Sequence, residues 1–67
     1  MQLYKSVHLY NISAWDDDLG NCISNVKPND TILLLDYGDR TRTFLKRFLL
    51  TNGMIAYVNL CYLQEVL

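Results

Sequence analysis

The stretch "VKPNDTILLLDYGDRTR", Val26 to Arg42, decides how the chain is read. Its apolar run, Ile32 to Leu35, shows no alternation and is bounded by turn residues, with Pro28, Asn29 and Asp30 before it and Asp36 and Gly38 after it. A short apolar run of that kind is the pattern of a strand covered on both faces, as in a parallel sheet. Asp39, Arg40 and Thr41 follow where such a strand would hand over to a helix.

Working outward from that strand, the pattern alternates. On the N-terminal side, "QLYKSVHLY" (residues 2–10) sets Leu3, Val7 and Leu9 on one alternating face and predicts a first strand. Ser13 and Asp16 have capping-box spacing, and Trp15, Leu19, Cys22, Ile23 and Val26 fall at i, i+4, i+7, i+8 and i+11. Those positions make one face of an amphipathic helix. Asp16, Asp17 and Asp18 would occupy its first turn, at the positive end of the helix dipole. Gly20 weakens that helix by about 1 kcal/mol relative to Ala, and Pro28 ends it.

On the C-terminal side, Phe44, Leu45, Phe48 and Leu49 form an apolar stripe within Thr41 to Thr51, with Arg42, Lys46 and Arg47 elsewhere around the helix it predicts. Asn52-Gly53 reads as its C-terminal stop. "MIAYVN" predicts a third strand and "LCYLQEVL" a short terminal helix. The expected fold is α/β: a single domain over residues 1–67, built as β-α-β-α-β around a small three-stranded parallel sheet with right-handed crossovers.

Of the 67 residues, 51% are hydrophobic and 19% charged, against roughly a quarter charged in an average domain. A chain this short has little interior in which to hide so much apolar surface, so an oligomer or a partner subunit is expected. The net charge of −1 indicates no global attraction to nucleic acid or to a membrane. No run approaches membrane-spanning length, and the N-terminal stretch shows no apolar segment of the signal-peptide kind. The two cysteines, Cys22 and Cys61, form no CxxC and no metal-like spacing with His8. A reducing cytoplasm is the expected compartment, with no cofactor.

Two places carry candidate chemistry. The loop with Gly38, Arg40 and Thr41 lies where open parallel sheets gather ligands, and a helix N-terminus attracts anions. Against a ligand site there, Asp39 or Thr41 serves as a helix cap and Gly38 as a turn residue. Cys22 has the chemistry of a sulfur carrier, because a thiolate is both nucleophile and leaving group, yet its place on the apolar stripe is that of a packed core thiol. Arg40, Arg42, Lys46 and Arg47 form a basic group that reads as the solvated face of the second helix.

Taken together, "LGNCISNVKPNDTILLLDYG" resembles the DsrH/TusB-type subunits of the DsrE/DsrF/DsrH sulfur-relay family. In that family a helix bearing Leu and Cys leads through a turn into an apolar strand ending in an acidic residue and Gly, here Leu19, Cys22, Asn29-Asp30, Ile32 to Leu35 and Asp36 to Gly38. "FLKRFLLTNGMIAYVNLCYLQEVL" is similar to the family's next helix, strand and short helix. The resemblance implies a cytoplasmic subunit in a homo- or hetero-oligomer with DsrE- and DsrF-like partners, a carrier or structural subunit rather than a stand-alone enzyme. It also implies persulfide transfer with Cys22 as carrier, serving tRNA 2-thiouridine synthesis or sulfur oxidation, so that nucleic acid is involved only indirectly. The alternative from another class is a non-enzymatic interaction or inhibitor protein that binds one protein partner. For self-association, the C-terminal Leu60, Tyr62, Leu63, Val66 and Leu67 are the expected interface.

Overall fold

Seven short strands and one turn of 3₁₀ helix make up the computed structural model, which describes residues 2–16, 20–36 and 44–66. In chain order they are β1 (Gln2–Ser6), β2 (Ile12–Trp15), β3 (Cys22–Val26), β4 (Thr31–Asp36), β5 (Leu45–Leu49) and β6 (Ile55–Asn59), then the 3₁₀ turn Leu60–Tyr62 and β7 (Leu63–Val66). They form one sheet in the order β3-β2-β6-β5-β4-β1-β7, with every neighbouring pair antiparallel. The expected α/β fold, with its three-stranded parallel sheet and two crossover helices, is therefore overturned: the described residues contain no α-helix and no parallel pair.

The first predicted helix is a hairpin. Ile12 pairs with Val26 and Ala14 with Ser24, so the buried residues Ile12, Ala14 and Val26 follow a period of two. Cys22 and Ile23, expected on the same buried stripe as Val26, are exposed instead. Asp16 closes the loop between the strands. Its carboxylate accepts from the Gly20 N–H at 3.1 Å and from Asn21 Nδ2 at 2.9 Å, and its own N–H donates to the Asn21 carbonyl at 3.0 Å. The acid expected at a helix N-terminus thus performs turn chemistry, for which Asp is equally suited.

The second predicted helix is replaced, over its described part, by β5, a central strand with β4 on one side and β6 on the other. Phe48 and Leu49 are consecutive apolar residues, which suits a helical stripe, but in a strand they go to opposite faces. Phe48 is buried in the core, and Leu49 lies on the outer face between Leu33 and Ile55. Gly53 does adopt the left-handed conformation expected of it, with φ 86°, although in the turn between β5 and β6 rather than at a helix end. There its N–H donates to the Leu50 carbonyl at 3.0 Å, and the Leu50 N–H donates to the Met54 carbonyl at 2.8 Å.

Two expectations around the opening stretch hold in part. The turn expected at Asn29-Asp30 forms one residue earlier, at Pro28-Asn29, after a strand and not a helix, with Asn29 at φ 71°, the Asp30 N–H donating to the Lys27 carbonyl and the Asp30 carboxylate accepting from the Lys27 N–H. The run after it is a strand, β4, but an antiparallel one with β5 and β1 as neighbours: Ile32 and Leu34 face the core, while Leu33 and Leu35 are only half-buried and do not pack against it. In place of the terminal helix stand the 3₁₀ turn, whose Cys61 N–H is capped by Asn59 Oδ1 at 2.9 Å, and β7. On β1 the inward residues are Tyr4 and Ser6, so Leu3 is on the outer face, while Val7 and Leu9 lie beyond the strand and are exposed.

A flat seven-stranded sheet would be roughly 29 Å wide and one layer thick at a strand spacing of about 4.8 Å. The extents are 27 × 21 × 21 Å, so the sheet curls on itself. Both of its ends reach one core: Val26 on β3 and Leu63 on β7 join Ile12, Ala14, Ile32, Phe48, Leu50, Ala56 and Val58. At the centre, Phe48 meets Tyr4 edge to face with ring centroids 5.6 Å apart.

Candidate functional site: an exposed aromatic cluster

The residues singled out from the sequence do not come together. Cys22 begins β3, an edge strand, and is exposed, so the shielded, helix-borne thiol is corrected to an open one on a strand. Its Sγ–H donates to the Ser24 carbonyl at 3.2 Å. Gly38, Arg40 and Thr41 lie outside the described residues, as do Asp39 and Arg42. Of the basic group, Arg47 is on β5 and pairs with Asp36 on β4 at 2.7 Å, both side chains partly exposed. Cys61 is exposed in the 3₁₀ turn.

A different set of residues does converge. Pairing of β1 with β7 brings the chain just after β1 against the 3₁₀ turn, and the Val7 N–H donates to the Tyr62 carbonyl at 3.0 Å. That contact seats His8 against Tyr62, with ring centroids 4.5 Å apart and planes tilted by 35°. His8 also meets Tyr10 edge to face at 6.1 Å. Tyr10 is 73% exposed and Tyr62 40%, beside Leu9 at 82%. A backbone hydrogen bond ties the two segments together, with His8 half-buried and both tyrosines open to solvent.

Such a surface offers ring faces for stacking and phenolic O–H groups for hydrogen bonding, side by side. Tyr62 lies far along the chain from His8 and Tyr10, and nothing in local spacing links them. His8 lies beyond the end of β1, and only the β1–β7 pairing shows what it joins. Among the described residues no three His, Cys, Asp or Glu side chains gather as a metal site. No helix among them is long and apolar enough to cross a membrane. No family model, curated protein or solved structure matches this chain.

Proposed function

We propose that the chain is a non-catalytic protein-binding module that holds an extended, proline-rich segment of one protein partner on His8, Tyr10 and Tyr62. The observation that carries this reading is the meeting of three aromatic rings, from two distant parts of the chain, on one exposed surface. Aromatic-lined grooves on small domains such as SH3 and WW domains dock segments of this kind, because a proline-rich chain is already in its bound conformation and loses little entropy. Proline rings pack on the aromatic faces. Tyrosine O–H groups donate to the peptide carbonyls, which a polyproline II segment leaves without internal partners.

Titration of the protein with a panel of synthetic PxxP peptides, followed by amide chemical shifts, tests the reading. Saturable shifts are expected at residues 7–10 and 60–62. Tyr62→Ala is expected to weaken the best peptide about tenfold or more, as truncation of an aromatic anchor does. Tyr62 is outside the core, so the fold of the variant should be unchanged. A panel without saturable shifts at these residues overturns the proposal.

A second reading keeps Cys22 as a sulfur carrier in a cytoplasmic relay with DsrE- and DsrF-like subunits. Its support is the exposure of the thiol. The Cys22 thiolate would take the outer sulfur of a donor persulfide, forming a new S–S bond as the donor's S–S bond breaks and its thiolate leaves. Intact mass after incubation with a persulfide donor should then show one added sulfur in wild type and none at this position in Cys22→Ser. An unmodified Cys22 with a competent donor removes the reading. The binding module is preferred, since the α/β frame and helix-borne Cys that the resemblance implies are not features of this fold.

A further inference from the structure

The aromatic surface is assembled across the less anchored edge of the sheet. Among the described residues β7 is bonded on one side only, to β1, and Gln64, Glu65 and Val66 are exposed. From this strand and the 3₁₀ turn before it, only Leu60 and Leu63 pack against the core. The opposite edge, β3, buries Val26 and is tied to the β5–β6 turn by Asn52 Nδ2, which donates to Ser24 Oγ at 3.0 Å. Leu63 lies opposite Ser6, which is 1% exposed and whose hydroxyl has no hydrogen-bond partner among the described residues. A buried hydroxyl in that state favours any opening that admits water to it.

We infer that the 3₁₀ turn and β7, residues 60–66, form a strap that opens from β1 as a unit while the rest of the sheet stays folded, and that the aromatic surface exists only while the strap is closed. A segment with few buried apolar side chains and exposed backbone bonds opens locally at less cost than the core. Opening carries Tyr62 away, because the bond from the Val7 N–H to the Tyr62 carbonyl continues the β1–β7 ladder. His8 then loses the ring it stacks on at 4.5 Å. Opening also wets the Ser6 hydroxyl, so the residue beneath the strap biases it towards release. A peptide lying on His8 and Tyr62 selects the closed form and holds the strap down. Holding by a peptide rests on the binding proposed above; the opening itself does not.

Two adjacent amides separate the strap from the frame. The Ser6 N–H donates to the Asp30 carbonyl at 2.9 Å, in line with β4, whereas the Val7 N–H donates to the Tyr62 carbonyl at 3.0 Å, in line with β7. Alternation along an antiparallel ladder directs the Gln64 N–H to β1 as well. In hydrogen exchange of the free protein, Val7 and Gln64 should share one protection factor, at least about tenfold below those of Ser6 and Phe48. Ser6→Ala keeps the backbone bond and removes the hydroxyl, and should raise the protection of Val7 and Gln64 about fivefold or more. The best PxxP peptide, at about ten times its dissociation constant, should raise it about tenfold. Val7 and Gln64 protected as well as Phe48, or exchanging independently of each other, overturn the strap. So does unchanged protection in Ser6→Ala. A peptide that binds without protecting Val7 and Gln64 overturns control of the site by the strap, whereas a panel in which none binds counts against the binding proposal alone.

Discussion

Phe48→Ala is expected to remove about 3–5 kcal/mol, a large share of the chain's stability, whereas Phe44→Ala leaves it almost unchanged. Phe48 is fully buried at the middle of the sheet, paired with Leu34 and Ala56 and meeting Tyr4 edge to face. Truncating a buried Phe costs about 3–5 kcal/mol, including the cavity left behind. Part of that loss is the Tyr4 contact, worth roughly 0.5–1.5 kcal/mol beyond the area it buries. The buried neighbours Ala14 and Ala56 are too short to fill the space. A domain of this size holds only about 3–10 kcal/mol in total. Phe44 is 62% exposed, and a surface truncation there should stay within about 0.5 kcal/mol. Urea unfolding of the two variants side by side measures the contrast. The helical stripe treats the two rings alike, so equal losses would restore it; a loss under about 1 kcal/mol for Phe48→Ala would contradict the core described above.

That contrast shows where the sequence is legible and where it is not. Turn chemistry is local, so a turn before β4, to within one residue, and the φ-positive Gly53 are readable from residue type alone. The strands β4 and β6 are readable for a similar reason, as apolar runs bounded by turn residues. The two mistaken crossover helices share one cause. In "FLKRFLL" and in Trp15 to Val26, apolar residues sit at spacings that satisfy both a period of 3.6 and, with a turn or a two-sided strand, a period of 2. Non-local pairing decides between them. The partners of β5 are β4 and β6, and β2 bonds to β6 across most of the chain. The same non-locality hid the aromatic cluster, since His8 and Tyr62 meet only after β7 has paired with β1. Cys22 was conspicuous in the sequence because of its chemical type, and that type says nothing of where the strand would put it.

The largest test of the hairpin is a pair of charge insertions for which the two readings expect opposite outcomes. In the helical reading Ala14 follows the Ser13 cap, and an acid there would gain about 0.3–1 kcal/mol from the helix dipole. In the hairpin Ala14 is fully buried on β2 opposite Ser24, between residues of the core. Ala14→Glu then overfills a packed site, at about 1–3 kcal/mol, and buries a carboxylate without a cation, at several kcal/mol more. That is most or all of the roughly 3–10 kcal/mol a chain of this length holds, so the variant should lose most of its cooperative unfolding transition and much of its amide dispersion. Cys22→Lys reverses the contrast. A lysine on the buried stripe of a helix would be as damaging as Ala14→Glu, but on the exposed start of β3 its ammonium stays in water. Lysine on an edge strand also discourages edge-to-edge pairing, so Cys22→Lys should unfold within about 0.5 kcal/mol of the wild type. A stable Ala14→Glu together with an unfolded Cys22→Lys would return this segment to a helix, and with it the α/β fold.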